Sequence, residues 1–448
     1  MLTFPEAVKH IIRLLNEAGY EAYAVGGCVR DALLDKQPND WDLTTSALPE
    51  EIKHVFRHER VIETGIKHGT VTVLFGGEGY EITTYRVDGE YTDHRRPDSV
   101  QFVSNLKEDL MRRDFTVNAM AAHPEEGIVD LFGGKDDLEN GVIRAVGNAE
   151  KRFTEDALRI LRAVRFASTY DFTIDDETAQ AALKLAPTLE NVSEERIFVE
   201  IKKLLCGKGA ERVLISYPEI LFTVLPELRP MHNLAQVNPH HAYDVWTHTV
   251  KTIQAAPADP ILRLTMLFHD AGKPEKKTTD EKGIDHFIGH PLASRDIAEK
   301  ALLRLKSDRA TIQTVTKLVL EHDLRVPEKR INIRRQISRI GKDLFPLLID
   351  VIRADFMGQN PAMLSEKLKY TDALLREYAC AIEENACLTL ADMKITGRDL
   401  MELGAKGKLI GQVLEKLLDD VIREKVENET GALKSRAKMR IASFTANA

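Results

Sequence analysis

The sequence predicts an α/β head followed by a long all-α remainder. Short runs in which apolar and polar residues alternate, the mark of half-buried strands, are confined to about the first 140 residues. From "KRFTEDALRILRAVRFAS" onward, apolar residues instead recur with the 3.6-residue period of amphipathic helices. The two kinds of segment meet early, where the strand "EAYAV" runs into Gly26-Gly27 and then the helical "VRDALL".

The elements follow in order. "DWDLTT", "GTVTVLF" and "YEITTYR" read as further strands of a mixed sheet, with "FGGEGY" marking a turn. "ERIFVEIKKLL", "DPILRLTMLFHD", "ATIQTVTKLVLEHD" and "IGQVLEKLLDDVI" carry the helical period through the remainder. A chain of 448 residues exceeds one ordinary core, and about two to four domains of roughly 100–200 residues are expected.

Bulk chemistry narrows the class. Hydrophobic residues at 43% and charged residues at 29% describe a soluble globular chain, not a disordered one. The net charge of -8 argues against indiscriminate coating of nucleic acid, although a local basic patch can still bind a polyanion. Cys28, Cys206, Cys380 and Cys387 form no CxxC pair, so a reducing, cytoplasmic setting is expected. Lys9, His10 and Arg13 interrupt the first apolar stretch, which therefore lacks a signal peptide's core. No run approaches the roughly 18 apolar residues of a membrane span, and no membrane partner is expected.

Asp40 and Asp42 pose the first chemical question. Two residues apart in an extended run, they share a face and repel each other unless a cation lies between them. The turn at Gly26-Gly27 leaves backbone N–H groups at a helix start, which suits phosphate. Glu81, in "YEITTYR", offers a third acid. Phosphate-cradling amides beside two or three carboxylates suit nucleotidyl transfer assisted by Mg²⁺.

"GGCVRD" followed by "DWDLTT" resembles the first motif of the nucleotidyltransferase superfamily. "RRDFTVNAMA", residues 112–121, resembles the second motif of one branch, the bacterial class II tRNA CCA-adding enzymes and poly(A) polymerases. "EDALRILRAVRF" resembles their base-reading motif, and "SEERIFVEIKKLL" a later helical motif. The resemblance covers roughly the first 205 residues. It implies template-independent addition of CTP and ATP to the 3′ end of tRNA. It also implies a head over residues 1–140, a helical neck over 141–220 and a helical tRNA-binding tail over 361–448.

The resemblance assigns Asp114 to the incoming ribose and places Gly26, Gly27, Arg30, Arg112, Arg113, Asn118, Asp156, Arg159 and Arg162 around the nucleotide. Arg112 and Arg113 are adjacent and cannot share a face of a regular element. One is expected at the triphosphate and the other on a nearby acid. Asp156 and Arg159, at i and i+3 of an expected helix, share a face. An acceptor beside a donor matches the Watson–Crick edges of C and A and mismatches G and U. The polar segment 86–102, with Arg95-Arg96, resembles the family's flexible loop, which favours full CCA addition over CC addition.

A second constellation lies downstream: His248 in "VWTHTV", His269-Asp270 in "MLFHDAGK", His290 in "HFIGH", His322 in "LEHD" and Asp355 in "IRADFMGQNP". Imidazoles with carboxylates suit a divalent metal. The run resembles the HD phosphohydrolase superfamily, which implies a domain over 221–360 with His248, His269, Asp270 and Asp355 as ligands. His290 and His322 are left for a second metal or the phosphate, and His232, His240, His241 and His286 are read as structural. Such a domain in CCA-adding relatives implies hydrolysis of terminal or 2′,3′-cyclic phosphates. Near the end, "LKSRAKMR" offers Lys434, Arg436, Lys438 and Arg440 either for phosphate contacts or as a solvated basic end. Rival readings are a poly(A) polymerase of the same family, an HD phosphohydrolase with a nucleotide-binding head, and a pure RNA-binding module.

Overall fold

The computed structural model describes residues 2–88 and 100–446. The chain divides into two compact units: Met1–Arg229 with Arg304–Lys306, and Pro230–Leu303 with Ser307–Ala448.

The first unit is built on a seven-stranded mixed sheet. Its strands are β1 (Ala22–Val25), β2 (Leu43–Thr45), β3 (Arg60–Ile62), β4 (Thr70–Phe75) and β5 (Glu78–Thr84). A separate antiparallel ribbon follows, β6 (Arg86–Asp88) with β7 (Val100–Phe102). The sheet is completed by β8 (Met120–His123) and β9 (Gly127–Asp130), in the order β3-β4-β5-β2-β1-β8-β9. β2 and β5 run parallel, and the other neighbours are antiparallel. In β4 the alternation is real: Val71 and Val73 are fully buried while Thr70 and Thr72 are half-buried. The helix Glu6–Glu17 buries Val8, Ile11, Ile12 and Leu15, a single stripe at helical spacing. The loop expected at 86–102 is framed by β6 and β7, and Arg95 and Arg96 lie outside the described residues.

Beyond the sheet the expected single helix through "KRFTEDALRILRAVRFAS" is two, Ala149–Glu155 and Leu158–Tyr170. The all-α expectation holds with small exceptions: Val142–Ile143 pairs with Thr173–Ile174, and Thr278–Thr279 with Asp285–His286.

In the second unit Asp244, Asp259 and Asp308 cap the helices Val245–Ala255, Pro260–Phe268 and Arg309–Glu321 through their side chains. Val245–Ala255 packs on Pro260–Phe268 and on Leu344–Gly358, and Pro260–Phe268 packs on Arg309–Glu321. Leu400, Val413, Leu417, Leu433 and Ala437 form the core of the last helices. There the basic run is largely spoken for. Arg436 and Arg440 bind the buried Asp420, and Lys434 binds Asp399, whereas Lys438 is exposed. Among the described residues no helix is long and apolar enough to cross a membrane.

Candidate active site and metal-binding cluster

In the first unit β1 ends at Val25, and Gly26 turns the chain with φ 82° and ψ -125° into the helix Gly27–Leu33. Only glycine enters that conformation without strain. A Cβ at Gly26 would also stand 2.9 Å from Arg113 Nη1, so the guanidinium lies directly against the turn.

The stretch 38–45 is not one strand, because only Leu43–Thr45 joins the sheet. Pro38 has no N–H to give a ladder. The Asp42 carbonyl nevertheless accepts the Val25 N–H at 2.9 Å, which extends the pairing by one residue. Leu43 pairs with Ile82 in parallel, so Asp42 and Glu81 each sit one residue before that pair. The surrounding protein, then Asp40 and Glu81, push Asp42 up to about 6 against the pull of Arg113. The expected acids therefore gather at one end of the sheet, by register and approach, not by an alternating strand face.

Arg112 and Arg113 do not divide cleanly between an acid and the turn, because both reach Asp109, Arg113 through Nη2 at 3.4 Å. Arg112 donates Nε (3.0 Å) and Nη2 (2.7 Å) to Asp109, and Arg113 lies against the glycine turn. Asp114 is buried, accepts Arg162 Nε at 2.7 Å and Asn118 Nδ2 at 3.0 Å, and Asn118 in turn accepts from Arg30. Burial alone would raise the Asp114 carboxyl, but Arg162 and Asn118 hold it well below the usual range.

Asp156 and Arg159 are not two residues on one helix face. Asp156 has extended backbone at the break between the helices, and its Oδ1 accepts the Leu158 N–H at 3.0 Å. A side chain that caps the next helix cannot also continue the previous one. Its Oδ2 accepts Arg196 at 3.0 Å, while Arg159 binds Glu155 at 2.8 Å and the Arg112 carbonyl at 2.9 Å. The pair still meets across the break, where the Arg159 N–H donates to the Asp156 carbonyl at 3.0 Å.

In the second unit the six ligand candidates converge. Nδ1 of His269, His290 and His322 lies 2.6, 2.8 and 2.7 Å from the carbonyls of Met266, Phe287 and Val319. His248 Nδ1 lies 3.0 Å from the Gly358 carbonyl. A carbonyl only accepts, so each Nδ1 carries a proton and each Nε2 is left to face the interior. His248 and His269 Nε2 stand 3.3 and 3.2 Å from Asp270 Oδ2, and His290 and His322 Nε2 stand 3.2 and 3.9 Å from Oδ1. Asp355 Oδ1 is 3.1 Å from His248.

Among the described residues two groups able to chelate a divalent metal result, His248/His269/Asp270 and Asp270/His290/His322, sharing one carboxylate. Within each, two Nε2 atoms face each other at 3.2 Å, an arrangement of lone pairs that needs positive charge between them. Burial, then His269 and His290, lower His322 to about 3, which keeps its ring neutral. At His248 burial is overcome by Asp270 and Asp355, which raise it to about 9, so a proton is drawn to a place that a cation fits. Asp270 Oδ2 is buried with no aligned hydrogen bond, although Lys273 Nζ lies 2.7 Å away.

The sequence reading misses Lys273 and takes His241 as structural. Lys273 is buried, binds Gln236 at 2.6 Å and follows Asp270 at i+3, a spacing visible in "HDAGK". The His241 ring packs edge-on against His248 at 5.2 Å, and burial, then Lys273, lower it to about 3. Both line a cavity of about 410 Å³ above Asp270, His290, His322 and Asp355. His286 pairs with Asp280 at 3.0 Å and also lines this cavity.

Three family models match the chain: "Poly A polymerase head domain" over residues 22–144, "Probable RNA and SrmB-binding site of polymerase A" over 171–229, and "tRNA nucleotidyltransferase domain 2" over 279–437. The third covers much of the stretch where an HD domain was expected, under a different description. The CCA-adding enzyme of Oceanobacillus iheyensis is 54% identical over 204 residues, 46% of this chain and 50% of that protein. That alignment spans about half the length of the relative. The CCA-adding enzyme of Enterococcus faecalis is 35% identical over 447 residues, covering 98% of this chain and 97% of its own. The crystal structure of the Bacillus stearothermophilus CCA-adding enzyme in complex with CTP matches over the whole of both chains with a TM-score of 0.72 and 29% identity.

Proposed function

Since the chain belongs to the family of CCA-adding enzymes, we propose that it is a tRNA nucleotidyltransferase that builds CCA onto the 3′ end of tRNA from CTP and ATP. The observation that carries this is the meeting of Asp40, Asp42 and Glu81 with Arg113 and the Gly26 turn. The reading divides the chain into head, neck, body and tail near residues 140, 220 and 360.

An all-oxygen donor set in which Asp40 and Glu81 raise the Asp42 carboxyl fits a hard dication such as Mg²⁺. Such an ion, when bound, favours ionisation of the attacking 3′-hydroxyl and offsets charge on the leaving pyrophosphate. The chain's own residues do the rest. The Gly26–Gly27 backbone and Arg113 receive phosphates, and Asp114, braced by Arg162 and Asn118, meets the ribose. Asp156 and Arg159 read the base edge once released from Arg196 and Glu155. The test is to offer tRNA lacking its 3′ end with each NTP singly and together and to size the products. Three added nucleotides ending in A support the reading, and long A tails on ordinary RNA would mark a poly(A) polymerase.

A second activity is favoured by the doubled His/Asp cluster. We propose that it holds divalent transition-metal ions and hydrolyses phosphate esters at RNA ends, 2′,3′-cyclic phosphates included, as an HD-type site. Imidazole-rich ligation favours such ions over Mg²⁺. The metal, when bound, polarises the phosphoryl oxygen. Lys273 neutralises Asp270, and His241 walls the cavity where the ester sits. Metal content by elemental analysis, together with hydrolysis of a 2′,3′-cyclic nucleotide with Mg²⁺, Mn²⁺, Ni²⁺ or Co²⁺, tests it. No bound metal and no turnover would leave the cluster as scaffold.

A further inference from the structure

Asp109 has no accessible surface and lies one turn before Arg112-Arg113, on the helix Leu106–Met111. Oδ1 takes both contacts from Arg112, while Oδ2 faces Arg113 Nη2 at 3.4 Å and accepts Thr44 Oγ1 at 3.3 Å. Thr44 belongs to β2, two residues beyond Asp42. A carboxylate this deep is tolerated only if neutralised. Burial pushes it up, but Arg113 and Arg112 outweigh this and keep it ionised.

Arg113 is thereby placed between two acidic groups. On one side is Asp109, and on the other is the cluster whose member Asp42 already feels its charge. Its Nη1 is pressed against Gly26, and its Nε is buried with no hydrogen-bond partner. An arginine so held has part of its fork uncommitted in the place where the nucleotide's phosphates are read to bind.

We propose that Asp109 is a positioning residue for nucleotide addition. It holds Arg113 under the glycine turn, facing the phosphates, and keeps that guanidinium from closing onto Asp42, where it would compete with the divalent cation. The proposal rests on the reading of the first unit as a nucleotidyltransferase. It makes one carboxylate, which touches neither substrate nor metal, the setting for both.

Two quantities follow that a merely structural aspartate would leave unchanged. In Asp109→Asn the half-saturating Mg²⁺ concentration rises, because Arg113 now competes for Asp42. CTP binding measured by calorimetry with EDTA present weakens by about tenfold or more, because a charge-assisted contact is misplaced. KM for CTP rises more than kcat falls, and Asp109→Glu recovers most of both shifts. Leu106→Ala, buried on the same helix, is the control: it lowers thermal stability and leaves CTP affinity and the Mg²⁺ requirement unchanged. If Asp109→Asn does not fold, Thr44→Val, which removes the hydroxyl shared between Oδ2 and the Thr83 carbonyl, moves both quantities the same way by about two- to fivefold. Wild-type values in a folded Asp109→Asn, or in Thr44→Val where it stands in, overturn the positioning role. No nucleotide addition by the wild-type protein would instead overturn the reading on which it rests.

Discussion

Two neighbouring glycines give opposite expectations when each is changed to alanine. Gly26 has φ 82° and ψ -125°, and its new Cβ would stand 2.9 Å from Arg113 Nη1. The backbone strain alone costs about 1–3 kcal/mol. Gly27 has no such conformation, and its Cβ would meet only Arg30 Nη2 at 3.6 Å, an ordinary contact. As the first residue of a helix it gains from alanine, by up to about 0.5–1 kcal/mol. In thermal unfolding Gly26→Ala therefore lowers the transition of the first unit by about 2–12 °C, at roughly 2–4 °C per kcal/mol. Gly27→Ala leaves it level or slightly higher. Function separates them differently. Both raise KM for CTP, Gly26→Ala by moving Arg113 and Gly27→Ala by lifting the phosphate from the backbone. Equal melting shifts, or a Gly27→Ala enzyme with wild-type KM, would refute the reasoning.

Other outcomes are equally specific. Asp42→Ala abolishes nucleotide addition with the fold retained by circular dichroism, and a near-wild-type rate would remove Asp42 from the site. His269→Ala with Asp270→Ala abolishes 2′,3′-cyclic nucleotide hydrolysis and bound metal while CCA addition continues, because these ligands belong to the second unit. Asp114 has a depressed carboxyl, so its contribution to stability is whole above the unfolded value near about 4 and is lost as pH falls through the lower folded value. Urea midpoints from pH 5 downward should thus fall less steeply in Asp114→Asn than in wild type. Asp420→Ala strands Arg436 and Arg440, which remain partly solvated, and costs about 1–3 kcal/mol in chemical unfolding.

Strands with β-branched alternation were legible: "GTVTVLF" and "YEITTYR" appear as β4 and most of β5. β8, "MAAH", was not, because all four residues are buried and nothing alternates. The acidic trio was legible as residue types, but its assembly depends on a parallel register that sequence does not carry. At Asp156 the helical period continued through a break, and only the side chain's choice of the Leu158 N–H decides the matter. The basic run at the end read either as phosphate contacts or as a solvated end, because its partners, Asp399 and Asp420, lie upstream in the chain and only the fold brings them to it. The histidines were legible as a group, while the sharing of Asp270 between two sets required coordinates.

Three of the four imidazoles are aimed by a carbonyl three residues upstream in their own segment, at Met266, Phe287 and Val319. These arms are shaped locally, and their orientation needs no other part of the chain. His248 differs, because its ring is fixed by Gly358, 110 residues away, where the helices Val245–Ala255 and Leu344–Gly358 pass so closely that a Cβ on Gly358 would stand 2.4 Å from Thr252. The same helix end carries Asp355. Aiming the fourth ring thus depends on that docking of two distant helices, while gathering the other three also requires Pro260–Phe268 to pack on Arg309–Glu321. Three rings are aimed as soon as their own turns form, and the fourth only when those two helices have closed.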